Sequence, residues 1–253
     1  MTNAKPLTVC VTGATSGFGA AIARRFHAEG AYVIATGRRQ DRLDALSAEL
    51  GERLLPLAFD VGDREAVSKA LGTLPAPFDE VDVLVNNAGL ALGLGPAWTV
   101  DLADWDTMIR TNCNGVVYCT RALLPGMVAR RRGHVINLGS AAASYPYPGG
   151  NVYGGTKAFV AQFSLNLRAD LSGKNVRVTD IQPGIAETEF SVVRFKGDTD
   201  AAAKTYAGTR PLVAADIAET VLWCANLPEH VNINVLEVMP TDQSFSAFTI
   251  HRG

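Results

Sequence analysis

The sequence predicts an α/β chain, a parallel sheet covered by helices on both faces. Three observations lead there. Short apolar runs alternate with helical patterns almost throughout. The first of these runs enters a glycine-rich turn that opens onto a helical stretch. Hydrophobic residues make up 47% of 253 residues, enough for the core of one large α/β domain or two small ones. No linker, repeat or low-complexity segment divides the chain, so one doubly wound domain over 1–253 is expected.

The elements follow in order. Leu7 to Thr12 reads as a buried strand and Ala20 to Glu29 as a helix that stops at Gly30. Tyr32 to Thr36 is strand-like, and Arg39 to Leu50 is helical up to Gly51. Leu54 to Phe59 and Val81 to Asn86 are further strands. One long helix is expected over Ala103 to Arg131, perturbed at Pro125. His134 to Gly139 is a strand, Val152 to Leu171 a helix and Val176 to Gln182 a strand. Ala214 to Asn226 is helical, and Val235 to Met239 is a last short strand. Glu187 to Arg210 is the least regular stretch and reads as a lid or as a solvated connection.

Composition excludes several classes. A net charge of −2 argues against a general nucleic-acid binder. The basic triplet Arg130-Arg131-Arg132 falls at a helix end, where cations suit the dipole. Cys10, Cys113, Cys119 and Cys224 lack metal-ligand or CxxC spacing and read as buried free thiols. No metal-ligand constellation is visible. The N-terminus, Met1-Thr2-Asn3-Ala4-Lys5-Pro6, has no signal-peptide core, and no apolar run is long enough to span a membrane. A reducing cytoplasm is the default setting.

The turn after the first strand is Thr12-Gly13-Ala14-Thr15-Ser16-Gly17-Phe18-Gly19. Glycines let a backbone turn tightly and approach a bulky ligand, and a helix N-terminus attracts a diphosphate. The spacing is Gly-x3-Gly-x-Gly rather than the usual dinucleotide fingerprint, and a plain tight βα turn is the alternative. The second strand ends at Thr36-Gly37-Arg38-Arg39. An acidic residue there would bond the 2′-OH of NAD; none is present, and two arginines suit the 2′-phosphate of NADP. Asp60, followed by Val61, could accept from an adenine amino group or cap a helix. In Asn86-Asn87-Ala88-Gly89, Asn87 and Ala88 are placed to tie loops or line a cofactor, and Gly89 leaves room for a ribose.

Tyr153 and Lys157 lie four apart, one helical turn, with Ser140 thirteen residues upstream of the tyrosine. A free tyrosine has a pKa near 10, and a nearby ammonium would lower it. Such a tyrosine can exchange a proton with an alcohol oxygen, which suits carbonyl reduction.

Taken together, these motifs resemble the classical short-chain dehydrogenase/reductase family. They are Thr12-Gly13-x3-Gly17-x-Gly19, Asn86-Asn87-Ala88-Gly89, Asn112-x2-Gly115, Ser140, Tyr153-x3-Lys157 and Pro183-Gly184, in family order over nearly the whole chain. The resemblance implies one Rossmann-like domain with a seven-stranded parallel sheet, a nicotinamide cofactor, and a homotetramer or homodimer built partly through two long central helices. It also implies that Tyr153 is the general acid/base and that Lys157 is its partner on the nicotinamide ribose. Ser140 would polarise the substrate carbonyl, and Asn112 would support a water-linked proton path. Asn112, not the nearby Asn114, fits the Asn-x2-Gly spacing. Gly13, Thr15, Ser16, Gly17, Phe18 and Gly19 would line the diphosphate; Pro183, Gly184, Ile185 and Thr188 would line the nicotinamide.

A narrower likeness runs through Thr36 to Leu43, Asn86 to Gly93, Tyr147 to Tyr153, Val193 to Asp198 and Val231 to Pro240. These resemble the NADP-dependent 3-hydroxy acid dehydrogenases, which act on serine, allo-threonine and 3-hydroxypropionate or reduce malonic semialdehyde. Sulfoacetaldehyde reductases and broad carbonyl reductases are the near alternatives. A non-catalytic NADP-binding sensor is the alternative of another class, against which the intact Ser140, Tyr153 and Lys157 speak. Arg194 is a candidate to grip a substrate carboxylate or sulfonate and equally a candidate surface arginine, with Lys196 and Arg210 as weaker ones.

Overall fold

The computed structural model describes residues 5–244. The segment 1–6, in which no signal-peptide core is expected, lies mostly outside them, at residues 1–4. Seven parallel strands form one sheet in the order β3-β2-β1-β4-β5-β6-β9. They are β1 (Thr8–Val11), β2 (Tyr32–Gly37), β3 (Leu54–Ala58), β4 (Val83–Asn86), β5 (Gly133–Leu138), β6 (Val176–Pro183) and β9 (Val235–Val238). Chain order reverses between β1 and β4, and open α/β sheets bind ligands outside the carboxyl ends of strands at such a switch. A two-stranded parallel pair, β7 (Ala186–Glu187) with β8 (Leu212–Val213), stands apart.

The inner strands are buried on both faces because helices cover both. Val9, Val11 and Val33 pack with Phe26 of α1 (Gly17–Ala28) and Val221 of α9 (Ala214–Asn226). On the other side, Cys10, Ile34, Leu84 and Val135 pack with Val67 of α3 (Arg64–Leu71), Met127 of α5 (Gly115–Arg130) and Leu167 of α6 (Asn151–Asp170). Each large apolar side chain so buried contributes roughly 1.5–3 kcal/mol. The helix α2 (Gln40–Leu50) closes the first face through Leu43 and Leu46. All four cysteines are free and buried.

Three regions differ from the sequence expectation. The helix α3 was not expected; Asp63 caps it by accepting from the amides of Glu65 and Ala66. The single helix expected over Ala103 to Arg131 is broken elsewhere than at Pro125. It consists of α4 (Leu102–Ile109), a π-helical turn at Arg110–Asn114, and α5, within which Pro125 sits without ending it. The wider turn brings Asn112 inward, a common use of π-bulges at functional sites. The third difference lies in 187–210, which holds two short helices, α7 (Glu189–Arg194) and α8 (Thr199–Lys204). Their first turns are capped by Thr188 and Asp198.

The basic triplet has local partners. Arg130 donates to the Val81 carbonyl at 2.8 Å, Arg131 ends α5 in the left-handed region, and Arg132 pairs with Asp82 at 3.0 Å.

A buried polar chain joins sheet to helices beneath the carboxyl edge. Asn86 donates to Thr120 at 3.0 Å and to Asn137 Oδ1 at 2.8 Å. Asn137 donates to Ser164 at 2.8 Å, and Ser164 to the Val160 carbonyl at 2.7 Å. Asn137→Ala would cost the Asn86 amide one of its two acceptors and the Ser164 hydroxyl its donor in a dry interior, leaving the bonds to Thr120 and Val160. A loss on the order of 2–4 kcal/mol is expected in urea unfolding. A loss below about 1 kcal/mol would mean that the chain of bonds contributes little.

Candidate active site

Backbone geometry builds the first wall of the cleft. After β1 the chain turns at Gly13, whose φ is +68°. A Cβ there would lie 2.9 Å from Ala88 Cα, and one at Gly19 would lie 2.3 Å from the Gly13 carbonyl oxygen. Only hydrogen fits at either place. Asn87 fastens this turn to the end of β4 by donating to the Thr12 and Gly13 carbonyls at 2.7 and 3.2 Å. Thr12 Oγ1 accepts from the amides of Asn87 and Ala88. At the start of α1, Ser16 makes no side-chain bond to the helix, and the first turn holds no acidic residue. The N–H groups and positive dipole end are therefore available to an anion.

The second wall carries the arginines. Arg38 is exposed at the end of β2. Arg39 folds back, donating to Thr15 at 2.8 Å and to Ser16 at 2.8 Å. Glu189 at the start of α7 pairs with Arg39 at 3.3 Å and with Arg42 at 2.7 Å. The sequence reading missed Arg42 and Glu189. Arg42 was findable from its place one helical turn after Arg39; Glu189 is 147 residues from Arg42 and was not. Asp60 accepts from the Gly62 amide at 2.9 Å, a local turn bond, while still bordering the cleft.

The third wall joins β5, α6 and α7. Tyr153 is buried, with Phe190 at 5.7 Å and Arg194 at 5.0 Å from its ring centre. Burial raises its pKa; a hydrogen bond from Ser140 and the Arg194 charge work in the opposite direction. Lys157 lies 5.9 Å from the ring centre and donates to the Leu138 carbonyl at 2.7 Å. For the tyrosine, burial is the dominant cause, and the charge that opposes it is that of Arg194 rather than the expected one of Lys157. Burial also lowers Lys157 to about 8, against the favourable charge of Asp180. Asp180 is a buried carboxylate of β6 that the sequence reading did not single out, since on a strand it looks like any polar residue. Desolvation raises its pKa, and Gln182 donates to it at 2.7 Å.

Asn112 is buried behind this wall. It donates to the Leu90 carbonyl at 2.8 Å and to Thr156 at 3.0 Å, and it accepts from the Leu90 amide. Its Oδ1 and the Lys157 ammonium flank Gly89, 3.4 and 3.6 Å from where a Cβ of that residue would stand. Asn114 makes no comparable bonds among the described residues, so the spacing that singled out Asn112 picked the residue that turns inward.

Of the catalytic, cofactor and substrate candidates singled out in the sequence, all except Gly19, Asn112 and the two weaker anion candidates, Lys196 and Arg210, border one cleft of about 570 Å³. Gly19 supports the turn from behind, and Asn112 flanks Gly89. The Gly13–Gly19 cradle, the open N-terminus of α1 and the two arginines fit a dinucleotide with an extra phosphate, while Ser140, Tyr153 and Lys157 stand at the other end. A hydroxyl pair facing a carbonyl oxygen, backed by an ammonium, can pass a proton to or from that oxygen. Among the described residues no group of His, Cys, Asp and Glu is arranged to hold a metal, and no helix is long and apolar enough to cross a membrane.

The family model described as short chain dehydrogenase matches residues 7–198. The chain is 60% identical over 248 residues to NADP-dependent 3-hydroxy acid dehydrogenase YdfG of Salmonella typhimurium, covering 98% of this chain and 100% of that protein. It is 56% identical over 245 residues to serine 3-dehydrogenase of Agrobacterium fabrum, covering 97% and 98% respectively. It matches the closed form of a serine dehydrogenase complexed with NADP+ with a TM-score of 0.96 and 58% identity, covering 97% of this chain and 99% of that one. Likeness of this extent, over the same seven-stranded parallel frame, means that the chain belongs to the short chain dehydrogenase family and is an oxidoreductase acting on CH–OH groups.

Proposed function

We propose that the protein interconverts short 3-hydroxy acids and their carbonyl forms with NADP as coenzyme. Substrates of the 3-hydroxypropionate, serine and allo-threonine type, and carbonyl forms such as malonic semialdehyde, are meant. The convergence of Ser140, Tyr153 and Lys157 in one cleft with Arg38 and Arg39 carries this reading. The names of the two enzyme relatives support the substrate class, and the NADP+-bound serine dehydrogenase supports the coenzyme.

Gly13 to Gly19 would hold the diphosphate, Arg38 and Arg39 the 2′-phosphate, and Pro183 to Ile185 with Thr188 the nicotinamide. Asp60 and Val61 would border the adenine, and Asn87 to Gly89 the ribose. When bound, the coenzyme supplies or accepts the hydride. The chain's own residues do the rest. In reduction, the hydroxyls of Ser140 and Tyr153 would hold the substrate oxygen. Tyr153, a phenol whose hold on its proton burial strengthens, would give up that proton as charge develops there. Lys157, which changes charge near pH 8, would return a proton through water beside Gly89, which Asn112 also flanks. Oxidation is the reverse.

The segment 187–210 is proposed as the substrate lid, because Glu189, Phe190, Ser191, Arg194 and Tyr206 border the cleft from one side. The cytoplasm is the proposed setting, supported by four unpaired thiols. A homodimer or homotetramer is proposed on the outer face of α4 and α6, where Ile109 and Phe159 are 44% and 41% exposed and Phe159 stacks on Phe163 at 6.0 Å.

Three outcomes are expected. NADPH oxidation with malonic semialdehyde should fall by roughly 1,000-fold or more in Tyr153→Phe, while NADPH binding by fluorescence titration stays within a few-fold. Retained turnover would remove the tyrosine from its proposed role. For Lys157 the sign follows from linkage: between about 8 and 10.5 the unfolded chain binds a proton that the folded chain does not. The unfolding free energy of the wild type minus that of Lys157→Met should therefore rise with pH across that window, by on the order of 1–3 kcal/mol; a flat difference contradicts a lowered lysine. Sedimentation should give a mass of two or four chains, reduced in Phe159→Glu; a monomeric wild type would dismiss the proposed face.

A further inference from the structure

Resting on the reading above, we propose that Arg194 is the anion anchor of the substrate site: its guanidinium binds the carboxylate or sulfonate of a short substrate whose reacting carbon lies at Tyr153. This makes Arg194 a specificity-determining residue, separating anionic hydroxy compounds from neutral alcohols of the same size.

Charge bookkeeping in the lid points to this residue. Lys196 is matched by Asp104 at 2.8 Å and Arg210 by Asp242 at 3.0 Å, so neither weaker candidate offers an unmatched charge. Arg39 and Arg42 share Glu189. No ion pair among the described residues involves Arg194. Its side chain makes one hydrogen bond there, Nη2 to the Tyr147 hydroxyl at 2.8 Å, and its buried Nε has no partner. A guanidinium has five N–H donors in a planar fork that matches a carboxylate.

The position is held rather than accidental. The guanidinium carbon lies 5.0, 5.3 and 5.7 Å from the ring centres of Tyr153, Phe190 and Tyr147. Aromatic faces attract a cation without neutralising it, and a site poor in water strengthens its pull on an anion. The Arg194 carbonyl also accepts from the Gly93 amide at 2.9 Å, fastening the end of α7 to the loop after β4. A surface arginine would need none of this. Because the anchor stands against the ring of the proton-transferring tyrosine, a molecule held by both must be short. An anion that neutralises Arg194 also removes a charge favouring the Tyr153 phenolate, so a correct substrate would strengthen the tyrosine's hold on its proton until transfer.

The test compares wild type, Arg194→Met and Arg194→Lys. Oxidation of 3-hydroxypropionate, of its neutral analogue 3-hydroxypropionamide, and of 2-hydroxyethanesulfonate is followed with NADP+. Malonate, which cannot be oxidised, is titrated by calorimetry into protein without coenzyme. Arg194→Met should lose roughly 100-fold in kcat/KM on whichever anion the wild type uses, mainly through KM, but less than about 3-fold on the amide. Malonate binding should disappear in Arg194→Met and be partly restored in Arg194→Lys. Equal losses on acid and amide, or malonate binding unchanged in Arg194→Met, would overturn the anchor. A wild type that oxidises none of the three refutes the substrate class instead. The malonate titration then still decides the anchor, since lost binding in Arg194→Met upholds it and retained binding overturns it.

Discussion

Burial of the Lys157 ammonium is the constraint around which the site is arranged. Taking a lysine out of water disfavours its charged form, and here lowers its pKa to about 8. The surrounding structure offsets that cost with a carbonyl at the end of β5 and a buried carboxylate on β6. Both come from the carboxyl edge of the sheet, where β5 and β6 run in register and Asn137 stands opposite Asp180. The lysine in turn can sit there only because α6 carries it one turn beyond Tyr153, and α6 is held to the sheet through Ser164 and Asn137. Register, helix placement and proton chemistry are therefore one arrangement, not three.

The tyrosine obeys the same rule with the opposite result. Burial penalises a phenolate, so the group expected to be acidified by its neighbour has its hold on the proton strengthened instead. Cations and hydroxyls aimed at it, Arg194 and Ser140, moderate that penalty without cancelling it. Charge in the cleft is sorted with similar economy. Glu189 joins the lid to the arginines after β2, Asp104 and Asp242 match the outer cations, and Arg194 is left facing aromatic rings. The two ends of the cleft thus present the cations proposed above for two different anions, with Tyr153, the proposed proton-transfer group, against Arg194.

Much of this was legible in the chain. Short apolar runs alternating with helical patterns identified all seven strands of the main sheet, since a strand covered on both faces has little freedom in composition. Gly13 and Gly19 were readable because close backbone approach admits no other residue. The helix α3 escaped because a short capped helix on the surface needs only one apolar edge, here Val67 and Leu71. The π-helical turn escaped because its purpose, turning Asn112 towards Leu90, is a contact over 22 residues. The long irregular stretch after β6 resolved into two short helices whose caps, Thr188 and Asp198, are single residues without periodic support.

By itself the sequence determined the layered α/β frame, the order of its motifs and the helical spacing that puts Tyr153 and Lys157 on one face. These follow from local rules of period, turn chemistry and backbone sterics, which need no knowledge of distant partners. Tertiary structure alone decided which charges stay unmatched and which groups lose water. Glu189 reaches Arg42 across 147 residues, Asp180 lies behind Lys157, and Arg194 rests on three rings. Electrostatic strength depends on distance and on exclusion of solvent, and both are set only when the chain has folded.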